Sequence, residues 1–235
     1  MQKPHRRATE KSRDDWRTPR HIFDAACAEF GYTIDGAASA ENALCAEYFD
    51  GTSADRCFLR KPLDLFSAPG RRVWLNPPFS EKRAFIARAI YLTRREHRSG
   101  IQIASVLIPA VCETSVWHEL IFPHASAIDF YRGRIAFYDP ARPIGPGGAY
   151  LKQRSGAPTG HALVTFLSPG LNWTPGDGEL KGGGCLWRRP DWFHRRGRHA
   201  TNFALIRTRS ASTGEVIAGD PGMRKQQLRF YFRED

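Results

Sequence analysis

Asn76, Pro77, Pro78 and Phe79 stand together directly after the apolar run Val73-Trp74-Leu75. Two consecutive prolines lack two backbone donors and fix two φ angles, so they end a strand and make a stiff, outward-pointing corner. That corner presents Asn76 and Phe79. The side-chain oxygen of Asn76 and the carbonyl of Pro77 are two acceptors that can take the two N–H bonds of an exocyclic amine. Such an amine is a poor nucleophile, because its lone pair is delocalised into the ring; two acceptors draw it toward tetrahedral geometry and localise that pair. The prolines hold both acceptors without reorganisation. Phe79 offers a face for an unstacked base, worth about 1 to 3 kcal/mol for a base on an aromatic ring. With a sulfonium methyl as electrophile neither a general base nor a metal is needed, and the corner suits methyl transfer to an amine. The same residues also make a plain strand-terminating turn, since Asn-Pro and Pro-Pro are common loop punctuation.

A second stretch, Asp35-Gly36-Ala37-Ala38-Ser39, follows the strand-like residues 32–35. In an open α/β sheet ligands bind at the carboxyl ends of the strands, near the point where strand order reverses. If the strands ending at Asp35 and Leu75 are near neighbours, Asp35 and Asn76 face a common crevice. The small residues would let backbone N–H groups approach a ligand, and Asp35 could hold an ammonium group through a charge-assisted bond. Equally, the stretch is any tight turn, with Asp35 as its cap.

The elements that must position these residues follow from periodicity. Thr18 suits an N-cap and Pro19 the first helical position, Ile22, Phe23, Ala26, Cys27 and Phe30 share one face, and Gly31 stops the helix, predicting one over 19–30. Residues 43–70 are less regular, with a short strand or loop near Asp64. Residues 71–75 read as a strand, and Ser80 as the cap of a helix reaching about His97, with Phe85, Ile86, Ala89 and Ile90 on its apolar face. Residues 101–110 form a nearly continuous apolar run, as expected of a strand covered on both faces. A helix over 115–122, a strand-like run within 125–138 and a strand over 161–167 follow, separated by a Gly- and Pro-rich loop between Tyr138 and Gly160. This alternation predicts an α/β sheet with helices on both faces. Beyond Gly170 only 202–209 and 227–235 look like strands.

The chain of 235 residues has 35 Lys and Arg against 24 Asp and Glu, a net charge of +11. A polyanion is the natural partner of such a surface, through counterion release and steering. No run approaches the length of a membrane span and the first residues lack the apolar core of a signal peptide, so a cytoplasmic protein with no membrane association is expected. The five cysteines form no Cys-x-x-Cys pair and the eight histidines no metal-binding spacing, so no metal is expected.

Residues 14–19 (DDWRTP), 34–43 (IDGAASAENA), 73–80 (VWLNPPFS), 105–110 (SVLIPA) and 130–138 (FYRGRIAFY) together resemble, in order and spacing, the phage-type DNA N6-adenine methyltransferases of the Dam family. The resemblance implies a Rossmann-like, S-adenosylmethionine-dependent methyltransferase sheet, S-adenosylmethionine as donor, and adenine in double-stranded DNA as acceptor. Residue by residue it implies Trp16, Thr18 and Pro19 on the cofactor side, Asp35, Ala37 and Ala38 at the methionine end, and Asn76, Pro77, Pro78 and Phe79 as the catalytic motif. Asp64 or Glu41 would accept the ribose hydroxyls. Trp16 packs on the cofactor or serves as a hydrophobic staple ahead of the helix. The expected organisation is a basic arm over 1–15, a methyltransferase domain over 16–169, and an irregular Trp- and Arg-rich extension over 170–235, in a monomer encoded by a phage or prophage. Arg132 and Arg134 would meet phosphates or lie solvated at a strand edge, and the arginines of the extension contact DNA or merely solubilise it. Two other functions stay open: methylation of RNA amines or of a protein glutamine, and DNA binding by an inactive protein of the same fold.

Overall fold

Ile22, Phe23, Ala26 and Phe30 recur at helical spacing and are all buried, on helix α1 (Arg20–Phe30). The computed structural model describes residues 16–61, 66, 68–94, 100–138, 157–169, 171, 185–188 and 203–217, with backbone alone at 185–188 and 203–205. Gly31 ends α1 at φ 64°, where L side chains are strained, and donates its N–H to the Cys27 carbonyl at 2.7 Å. The start differs from expectation by one residue. Pro19, not Thr18, is the N-cap, and the carbonyl of Pro19 accepts the N–H groups of Ile22 and Phe23. Pro19 is itself extended (φ −60°, ψ 137°), which moves the cap position one residue along, and the Thr18 hydroxyl makes no cap bond.

Among the described residues eight strands form one sheet: β1 (Ile34–Asp35), β2 (Glu47–Tyr48), β3 (Arg71–Leu75), β4 (Ile101–Pro109), β5 (Ala127–Arg132), β6 (His161–Leu167), β7 (Cys185–Arg188) and β8 (Phe203–Ser210). Their order is β2-β1-β3-β4-β6-β5-β8-β7. The first four are mutually parallel, β6 is antiparallel to both β4 and β5, β5 and β8 are parallel, and β7 is antiparallel to β8. Helices cover both faces. Val73, Leu75, Ala104, Val106 and Ile108 pack with Phe85, Ile86, Ala89 and Ile90 of helix α2 (Lys82–Thr93). Trp74, Ile103, Leu107 and Leu163 pack with α1 on the opposite face. The apolar run of β4 is thus explained by burial on two sides.

Ser80 does not cap α2. A turn closed by the Glu81 N–H on the Pro78 carbonyl (3.0 Å) intervenes, so Glu81 takes the cap position and the helix begins at Lys82. It ends at Thr93, not near His97 as expected, because Arg94 turns to extended backbone (φ −75°, ψ 131°); Asp64 lies outside the described residues. A π-helical turn (Trp117–Ile121) runs into the short helix α3 (Phe122–His124), where a helix over 115–122 was expected. Among the described residues no helix is long and apolar enough to cross a membrane.

The strand-like run expected within the C-terminal extension is strand β8, and it joins the main sheet instead of lying in an irregular appendage. β8 pairs with β5 along Ala127–Arg132, and its arginines are core residues. Asp129 stands beside Arg207 in register and receives its Nε and Nη2 at 2.6 and 2.8 Å, and Nε of Arg209 at 2.8 Å. Glu29 of α1 completes the quartet, accepting Arg207 Nη1 at 2.7 Å and also pairing with Arg209. Burial would raise the Asp129 carboxyl, but Arg209 and Arg207 beside it hold it below its usual range.

Candidate functional site

β1 and β3 are direct parallel neighbours, with Ile34 opposite Val73 and Asp35 opposite Trp74. From β1 the chain goes outward to β2 and returns on the other side as β3, a reversal of strand order that opens a crevice at the carboxyl ends. A cleft of about 540 Å³ lies there. Of the residues singled out in the sequence, Trp16, Thr18, Asp35, Ala37, Ala38, Asn76 and Pro78 line it. Pro19 does not, being occupied in starting α1; Pro77 is buried; and Phe79 stands apart from the lining, 48% exposed.

Asp35 is only 3% exposed. Its two carboxylate oxygens accept the backbone N–H groups of Ala37 (3.3 Å) and Leu44 (3.1 Å), so it caps the loop that follows β1 while facing the cleft. Burial pushes its carboxyl up to about 6, against the lowering effect of those two bonds. Gly36 is required by space: a Cβ there would lie 2.5 Å from Leu75 Cδ2 and 3.0 Å from the Phe58 ring. The open backbone N–H groups expected from this small-residue stretch are absent. Gly36 donates to the Trp74 carbonyl, Ala37 to Asp35, Ala38 to the Phe49 carbonyl and Ser39 to Asn42 Oδ1. What the small residues leave is room.

Asn76 donates from Nδ2 to the Trp16 carbonyl at 3.1 Å. That bond fixes the amide plane and leaves Oδ1 as the remaining acceptor. Trp16 is held in turn: its ring stacks on Phe137 at 5.8 Å, and Arg17 and Tyr138 exchange backbone hydrogen bonds of 3.0 Å in both directions. The segment ahead of α1 is therefore a strap that ties the proline corner to the chain beyond β5, and Trp16 packs against the core cluster that Phe137 shares with the buried face of α1. Beyond the corner, Lys82 Nζ lies 3.8 Å from the centre of the Phe79 ring.

One cleft residue escaped the sequence. Asp50 follows β2 and lines the cleft, whereas Glu41 does not line it and takes the Ser39 hydroxyl at 2.5 Å instead. Arg56 and Thr52 hold the Asp50 carboxyl well below its usual range. An acidic residue shortly after the aromatic pair Tyr48-Phe49 was the available signal. Thr18, which the sequence did single out, has its Oγ1 buried without a hydrogen-bond partner at the cleft wall. Such an orphan marks a place where a polar ligand atom would be welcome. Among the described residues no group of three or more His, Cys, Asp or Glu is placed to hold a metal ion.

The sequence matches the model of a family described as DNA N-6-adenine-methyltransferase (Dam) over residues 6–165. It is also 32% identical over 108 residues to a DNA N-6-adenine-methyltransferase of Escherichia phage T1, an alignment spanning 46% of this chain and 40% of the phage protein. The chain thus matches less than half the length of that relative. The family match contains every cleft residue discussed above and ends before β7 and β8.

Proposed function

The chain belongs to the DNA N-6-adenine-methyltransferase (Dam) family, and on that premise we propose that it transfers a methyl group from S-adenosylmethionine to N6 of an adenine extruded from duplex DNA. The observation that carries this reading is the pairing of Asp35 and Asn76 in one cleft, with the Asn76 amide fixed by the Trp16 carbonyl. The finer fold reading, a Rossmann-like methyltransferase sheet, rests on the four parallel strands, the helices on both faces and the crevice between β1 and β3.

The residues present fit the donor. Asp35, buried and carboxylic, suits its ammonium; the unpaired Thr18 Oγ1 suits a polar atom of the amino acid end; Asp50, beyond β2, suits the ribose hydroxyls. Phe49, Phe58 and Phe85 supply an apolar wall. When bound, the donor supplies an electrophilic methyl on a sulfonium, whose departure needs no proton. Asn76 Oδ1 and the Pro77 carbonyl then accept the two N–H bonds of the target amine, and because the strap and the prolines hold both acceptors, no reorganisation is required at the moment of transfer. Phe79, exposed beside them, stacks the extruded base. The net charge of +11 and the exposed Arg132 and Arg134, at the same carboxyl edge of the sheet, suit a duplex partner.

The test is nucleoside mass spectrometry of DNA from cells expressing the protein, with mapping of the modified site, followed by methylation of duplex DNA, RNA and protein by the purified chain. N6-methyladenine in DNA alone is expected. Its absence, or methylation of RNA or glutamine instead, refutes the reading.

A further inference from the structure

Among the described residues Phe79 is the exposed large hydrophobic side chain, and it is not bare. Lys82, the first residue of α2, places Nζ 3.8 Å from its ring centre and donates a hydrogen bond to the Phe79 carbonyl at 3.2 Å. Its neighbour Arg83 is paired with Glu119, whereas among the described residues no carboxylate pairs with Lys82. The ammonium thus covers one of the two faces of the ring proposed to stack the extruded base, and a base that takes that face must displace it. Stacking of a base on an aromatic ring is the stronger contact, and a solvent-exposed cation–π contact the weaker. A displaced ammonium on a flexible stem, at a surface where DNA has docked, finds phosphates as the strongest acceptors within reach.

Building on the functional reading above, we propose that Lys82 is an exchange residue: it occupies the Phe79 ring in the DNA-free protein, yields it to the extruded base, and transfers its ammonium to a backbone phosphate of the flipped nucleotide. Base capture and phosphate contact are thereby coupled through one side chain.

The experiment uses the full chain and a duplex carrying the methylated site mapped as above, with 2-aminopurine in place of the target adenine, whose fluorescence rises on unstacking. Affinity is measured from 50 to 200 mM salt for wild type, Lys82→Gln and Lys82→Arg. One lost phosphate contact lowers the log–log salt slope by about 0.9, so wild type and Lys82→Gln should differ in their loss of affinity over that range by roughly 3.5-fold. Lys82→Arg should keep the wild-type slope. The fluorescence rise at saturation should persist in Lys82→Gln and be lost in Phe79→Ala. An unchanged slope in Lys82→Gln, with wild-type methylation intact, overturns the exchange while leaving the methyltransferase reading in place. Failure of the wild-type protein to bind duplex in a salt-dependent way overturns both.

Discussion

Replacing Asp129 by Asn should unfold this protein more easily than any substitution on its surface. Asp129 is fully buried between β6 and β8 and accepts bonds of 2.6 to 2.8 Å from both Arg207 and Arg209. Removing its charge takes from both buried guanidinium groups the carboxylate that lies between them, while both positive charges stay in the core. Breaking a buried pair in this way costs about 3 to 5 kcal/mol. At roughly 2 to 4 °C per kcal/mol for a chain of this size, the melting temperature should fall by about 6 to 20 °C. Thermal and urea unfolding followed by circular dichroism measure this directly. Because the Asp129 carboxyl is held below its usual range, its contribution is present above the unfolded-state value and is lost only as pH falls through the lower folded one. The difference between wild type and Asp129→Asn should therefore be flat from neutral pH down to the acid range. A companion variant, Glu29→Met, Asp129→Leu, Arg207→Met and Arg209→Met together, should recover most of the loss, since apolar replacement of a whole buried ionic group is often neutral or stabilising. A fall of less than about 2 °C for Asp129→Asn, or a quadruple variant as unstable as the single one, would refute the argument.

Ending the chain after Pro169 should abolish the fold rather than trim an appendage, because it removes both arginines and bares the β5 edge; a truncated protein with a native melting profile would show β8 to be dispensable. Donor affinity by calorimetry should be flat above pH 6 and fall about tenfold per pH unit below it, because the ammonium favours the Asp35 carboxylate and protons compete as pH drops through about 6. Asp35→Ala should erase that dependence and weaken binding by about 2 to 5 kcal/mol; an unaltered pH profile would remove Asp35 from the site. Asn76→Ala should retain fold and donor binding yet lose about 10² to 10³ in single-turnover methylation, and near wild-type rates would sink the acceptor role. Phe79→Trp should keep most activity where Phe79→Ala does not.

Much of the site was legible because it is built from local devices. Proline chemistry stops β3 at Leu75 wherever the strand lies, Gly31 stops α1, and the run in β4 is apolar because both faces are covered. The meeting of Asp35 and Asn76 followed from a rule about strand ends and needed only that β1 and β3 be neighbours. Boundaries shifted where two local preferences competed, as when the Pro78–Glu81 turn delayed α2 and Pro19 displaced Thr18 from the cap.

The rest was decided by partners far along the chain. β2 is two residues long, too short for any periodicity, so Asp50 became a cleft residue only when pairing with β1 placed it there. The Asn76 amide is fixed by a carbonyl 60 residues earlier, which no pattern around Asn76 announces. Arg207 and Arg209 alternate along β8 as solvated arginines would, and the sequence is the same whether that face meets water or Asp129 and Glu29. Local composition determined the corner, the caps and the charge of this protein. Which polar side chains are buried depended on whether a counter-charge 78 or 178 residues away arrived to offset desolvation, and only the tertiary structure decided that.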